Sequence, residues 1–134
     1  MAKFARYYLR SLELAAENNT SPQLLPNDDV RVVDLEHVMP KKPTDKLFNN
    51  WPNVTEQDIE THSSRFGNLA LLKRETNNAI DQSSFEEKKL CYVNPGCPFI
   101  FTNMIAENYG SWGTDEIEQR QKEMAEYATK AWPI

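Results

Sequence analysis

The chain has 134 residues, 40% hydrophobic and 26% charged, the composition of an ordinary globular domain able to build a core without disulfide staples. No apolar run approaches the roughly 18 residues of a membrane span, and Met1 to Arg6 do not lead into the apolar stretch of a secretory signal. Twenty acidic residues against fifteen basic give a net charge of −5, which argues against strong nonspecific nucleic-acid binding by the whole surface.

Lys3 to Glu17 carries Phe4, Tyr7, Tyr8, Leu12 and Ala15 at three- and four-residue spacing and is predicted to be a helix. It starts abruptly, with no earlier element to pack on, so the chain is expected to be the C-terminal piece of a longer protein. Asn18 to Pro22 ends the helix, and Pro26-Asn27-Asp28-Asp29 is a second turn signal. Val30 to Val38 reads as the first strand. Period two sets Val33, Leu35 and His37 on one face and Val32, Asp34 and Glu36 on the other.

The strand delivers an adjacent Glu36–His37 pair and stops at Pro40. Carboxylate beside imidazole suits metal binding and general-base catalysis. The two converge on one ion only if the strand bends there, and a following proline is a reason for it to end. The bland alternative is a strand end with two solvated polar residues.

Lys41 to Pro52 is a basic, turn-rich loop with Trp51 as its anchor. Thr55 and Asp58 imitate a capping box ahead of a helix from Glu56 to Ser64. His62 on that helix reads as a surface or hydrogen-bonded structural histidine. Gly67 to Leu72 is the second strand, and Lys73 to Thr76 turns the chain. A helix is expected from Asn77 or Asn78 to Tyr92, with Ile80, Phe85 and the stem of Lys88 inward. An Asn at a helix start is first of all an N-cap.

Cys91 and Cys97 read as reduced packing residues, because a zinc site would need two more soft ligands and His37 and His62 are poorly spaced for it. Beyond Asn94-Pro95-Gly96 the tail is helical: Pro98 to Asn108, a break at Tyr109 to Gly113, and a last helix capped by Thr114 or Asp115. That helix carries Ile117, Met124, Tyr127, Ala128 and Ala131, and ends at Trp132-Pro133. The expectation is a single α+β domain with a core over about residues 28–92, a helix at 3–17 and a helical tail at 98–132.

The matching residues are Glu36-His37-Val38-Met39-Pro40, Gly67-Asn68-Leu69-Ala70-Leu71-Leu72, Asn77, and Phe85-Glu86-Glu87-Lys88, set on a strand, long loop, strand and helix. This order resembles the HNH or His-Me finger nucleases and, within them, the family catalogued as domain of unknown function 1524. The closing helix from Arg120 to Pro133 also resembles the family's end, so the likeness covers nearly the whole chain. It implies a ββα-metal core flanked by helices. It implies His37 as the general base and Glu36 and Asn77 as ligands of one divalent ion, with Asn78 in place of Asn77 if the helix begins one residue later. Asn68 and Lys88 complete the implied catalytic set, Asn68 by ordering the loop that holds His37 and Lys88 by meeting a phosphate. Because these ligands are oxygens rather than thiolates, Mg2+ or Mn2+ is expected rather than zinc.

The implied activity is that of a metal-dependent DNA endonuclease domain in a cytoplasmic, modification-dependent restriction system. Its DNA is expected to be modified, such as phage DNA, and its partner a ParB-like N-terminal domain. The competing reading is a catalytically silent domain of this fold that binds DNA or a partner subunit.

Overall fold

Two short strands, β1 (Val33–His37) and β2 (Leu69–Lys73), pair antiparallel in the computed structural model, which describes residues 2–15, 33–93 and 96–131. The register sets Val33 opposite Lys73 and His37 opposite Leu69, and the Val38 N–H donates to the Asn68 carbonyl just past the last pair. Four consecutive residues of β2, Leu69 to Leu72, are buried, as expected of a strand covered on both faces. Helix α1 (Ala2–Ala15) and helix α6 (Ile100–Asn108) pack on β2, and helix α4 (Arg74–Ile80) lies against both strands. The architecture is α+β, with a two-stranded sheet and seven helices among the described residues.

Local chemistry sets the helix boundaries. Helix α2 (Asp45–Asn50) interrupts the expected loop, capped by the Thr44 hydroxyl. Trp51 anchors that region: its indole is buried and donates to the Ser83 carbonyl at 2.9 Å. Helix α3 (Glu56–His62) starts at the Thr55–Asp58 capping box. His62 is hydrogen-bonded as a structural histidine, with Thr61 at 2.6 Å and Glu118 at 3.2 Å.

Three expectations shift. The second strand begins at Leu69, because Phe66–Asn68 form a 3-10 turn first. The single helix expected from Asn77 to Tyr92 is two, α4 and α5 (Phe85–Cys91), because Ser84 and Glu87 form a capping box that starts a new helix. Finally, α4 begins at Arg74, so Asn77 stands inside its first turns and is not a cap. The expected turns between Asn18 and Asp29, the strand residues before Val33, Asn94-Pro95 and Trp132-Pro133 lie outside the described residues.

Buried polar groups tie the helices to the sheet. The Glu13 carboxylate of α1 accepts from the Ile100 and Phe101 N–H groups at 2.8 and 2.7 Å, capping the start of α6 with a negative charge. Arg120 of α7 (Thr114–Ala131) donates from Nη1 to the Gly67 and Leu69 carbonyls at 3.0 and 2.7 Å. Its burial lowers the guanidinium to a pKa of about 10.

Candidate active site

A cleft of ≈ 390 Å³ opens between β1 and α4, lined by His37, Asp34 and Asn77 together with Asn78 and Asp81. Lys41 and Lys42, both exposed, complete its wall. The residues meet because β2 runs straight into α4, which packs directly against β1. The Asn77 amide donates to the Asp34 carboxylate at 2.8 Å, which joins helix to strand on the cleft wall. Asp34 also lies 3.9 Å from the Arg6 guanidinium of α1.

His37 is half-buried and reaches the cleft. Burial lowers its pKa to about 4, helped by the cations of Lys41 and Lys88, with Asp81 and Asp34 pulling partly back. The imidazole is therefore neutral at pH 7 and has a lone pair for a proton.

Glu36 goes elsewhere. Burial along β1 does not alternate: Val33 and Glu36 are both buried while Asp34, Leu35 and His37 are half-buried, and Glu36 lies in the core, 1% exposed. Its Oε2 accepts from the Tyr92 hydroxyl at 2.7 Å and lies 3.3 Å from the Lys88 ammonium. The expected convergence of Glu36 and Asn77 on one ion does not form: Asn77 meets Asp34, and Glu36 meets Lys88 and Tyr92. Burial pushes the Glu36 carboxyl up to about 7 against the opposing pull of Lys88 and Tyr92, and the same burial pushes Lys88 down.

Lys88 is also not on the cleft. It is fully buried, and its three N–H donors are spent on the His37 carbonyl (2.8 Å), the Val38 carbonyl (3.0 Å) and Glu36. No donor remains for a phosphate, which corrects the expectation that Lys88 meets the substrate. Asn68 is likewise saturated. Its Oδ1 accepts from the Met39 N–H and the Trp112 indole, and its Nδ2 donates to the Met39 and Ser63 carbonyls. It orders the loop after His37 and cannot touch substrate.

Sequence reasoning missed Asp34, Asp81 and Tyr92. Asp34 is legible in the sequence only as a strand residue, since its role depends on α4 starting three residues before Asn77. Tyr92 has a usable signal, because it follows Lys88 by four residues and so shares its helix face.

Among the described residues, no group of three or more His, Cys, Asp or Glu side chains is arranged to hold a metal ion. The cleft does offer one carboxylate in contact with one amide, beside a neutral imidazole. Oxygen donors of this kind suit a hard divalent ion that keeps most of its waters. Of the residues present, Asp34 and Asn77 carry their oxygen donors on the cleft, whereas Glu36 is turned into the core.

Comparison with known families gives one match. The family described as GmrSD restriction endonucleases, C-terminal domain, matches residues 2–127. A search of curated proteins gives no match, and neither does a search of solved structures.

Proposed function

The chain belongs to the C-terminal domain family of the GmrSD restriction endonucleases, nucleases of restriction systems that act on DNA, and from that premise we propose a phosphodiester hydrolysis centred on His37. The observation that carries this reading is the meeting of His37, Asp34 and Asn77 in one open cleft beside Lys41 and Lys42. We assign His37 as the general base, taking a proton from the attacking water at its free ring nitrogen. A base with a pKa of about 4 is neutral but weak. A phosphate drawn in by Lys41 and Lys42 would offset the Lys41 charge, which lowers the imidazole second to burial, and so raise it part of the way back.

Asp34 and Asn77 would hold the divalent ion, Mg2+ or Mn2+, which when bound supplies a Lewis acid for the phosphate and leaving oxygen. Asn68 holds Met39 from both sides and keeps the loop beyond His37 in place. No helix among the described residues is long and apolar enough to cross a membrane. We place the domain in the cytoplasm, acting on modified DNA together with a ParB-like N-terminal partner domain. The HNH-type assignment rests on the order of the motifs and on the hairpin-plus-helix arrangement of β1, β2 and α4.

His37→Ala should lower metal-dependent DNA cleavage by about 10²–10⁴-fold with the fold intact, the usual cost of losing a general base. Wild-type rates from that variant would remove His37 from the mechanism. They would also favour a silent domain that only binds DNA or a partner subunit.

A further inference from the structure

We infer that Glu36 acts with Lys88 and Tyr92 as an internal brace that fixes the end of β1, a positioning device rather than a ligand of the divalent ion. The inference deepens the proposed nuclease reading and rests on it for the identity of the base. Three successive residues are held by two buried side chains: Lys88 takes the carbonyls of His37 and Val38, and Asn68 takes both backbone polar groups of Met39. That clamp sets the backbone from which His37 extends into the cleft. The third Lys88 N–H faces the Glu36 carboxyl oxygen at 3.3 Å, so every donor of this buried ammonium has an oxygen partner. Tyr92, itself fully buried, aims the carboxylate through its 2.7 Å hydrogen bond.

The other Glu36 oxygen, Oε1, is buried without a hydrogen-bond partner among the described residues. A divalent ion on that oxygen would stand one carboxylate away from the Lys88 ammonium. In a low-dielectric interior two cations so placed repel strongly. The orphan oxygen is better explained as the residual cost of holding Lys88 in place.

The decisive measurement is Mn2+ affinity of the whole chain, followed by electron paramagnetic resonance, for wild type, Glu36→Gln and Asn77→Ala. The introduced amide is isosteric with the carboxylate and its oxygen can still accept from Lys88 and Tyr92, so Glu36→Gln should bind Mn2+ as wild type does. Asn77→Ala is the control for loss of a ligand and should weaken binding about tenfold or more. A loss of that size in Glu36→Gln, with a native amide spectrum, overturns the brace.

Lys88→Met alone strands a buried carboxylate and risks unfolding, so Lys88→Met is combined with Glu36→Gln. The neutral double variant should lose about 10- to 100-fold in kcat, the usual cost of removing an orienting partner, with KM for DNA and Mn2+ affinity unchanged. A raised KM at constant kcat would instead assign Lys88 to the phosphate and overturn the inference. Because the Mn2+ comparison needs no cleavage, it stands or falls separately from His37→Ala, which tests the nuclease reading.

Discussion

Glu36 and His37 are sequence neighbours that burial drives in opposite directions. For Glu36 the shift is from an ordinary 4.5 to about 7. Between those values the folded chain keeps a proton that the unfolded chain has released, so this group's contribution to stability falls as pH rises through the window. His37 moves from 6.5 to about 4. Over that window the unfolded chain holds the extra proton, so the His37 contribution rises with pH and is lost on acidification. The two windows overlap between 4.5 and 6.5, where the slopes cancel. Removing one partner exposes the other. Relative to wild type, the urea midpoint of His37→Ala should fall as pH rises across the overlap, and that of Glu36→Gln should rise. Each slope is at most about 1.4 kcal/mol per pH unit, one proton's worth. Parallel profiles for the two variants would contradict the opposed burial of these side chains. A separate consequence concerns Cys97, whose thiol burial pushes up to about 11. It should resist alkylation at neutral pH until the protein is unfolded, and early labelling in a mass-spectrometric time course would count against that burial.

At the scale of elements, the site depends on helix α7 as much as on the strands. Gly67 lies so close to α7 that a Cβ placed there would collide with the Ile117 carbonyl, while its own N–H donates to Gln121 at 3.2 Å. The obstacle is backbone, which cannot rotate away as a side chain can. Gly67→Ala should therefore cost about 1–3 kcal/mol or more in chemical denaturation, the range for overpacking. A neutral result would mean that α7 does not approach this closely in solution. The need for glycine here cannot be read from the sequence, because the contact joins residues 67 and 117; there Gly67 is visible only as part of a motif. Local signals fare better. The existence of β1, the Thr55–Asp58 box of α3 and the apolar positions Ile117 and Met124 of α7 are all readable, since each is written within a few residues, whereas the burial along β1 does not follow period two. The break before α5 is equally local: Ser84 to Glu87 carries the same box signature as Thr55 to Asp58. The apolar spacing of Ile80 and Phe85 masks it by allowing one continuous helix. Glu13, Arg6 and Arg120 look like solvated charges in the sequence because only tertiary contacts reveal their partners, and Lys88, whose stem is expected inward, finds carbonyls there rather than a phosphate. The same reason explains the site. His37 and Asn77 follow from the motif, whereas the acid that faces them, Asp34, depends on where α4 begins.

The whole molecule carries more acid than base, which bears on how the proposed chemistry and DNA recognition divide. Nonspecific affinity for DNA comes chiefly from Lys and Arg neutralising phosphates, and twenty acidic residues against fifteen basic leave the surface net negative. Of the described basic residues, Arg6, Lys88 and Arg120 are buried within the fold, away from a phosphate. Lys41 and Lys42 remain exposed at the cleft beside His37. Two such contacts would position a strand over the proposed base but add little affinity. The chain alone should therefore bind duplex DNA weakly, with a log–log salt slope of about −2, one step of about 0.9 for each lysine. The double variant Lys41→Ala and Lys42→Ala should flatten that slope while leaving the fold unchanged. Modified and plain duplexes should bind alike at physiological salt, because base reading needs an element placed in a groove or a pocket for a flipped base. The cleft is instead polar and charged, lined by groups suited to a phosphate and a cation. Recognition of the modification then falls to the proposed N-terminal partner domain, whose binding would raise the local concentration of DNA at the cleft. A titration of this chain showing a hundredfold preference for modified duplex, about 2.7 kcal/mol, would place recognition in these residues and end the proposed division of labour.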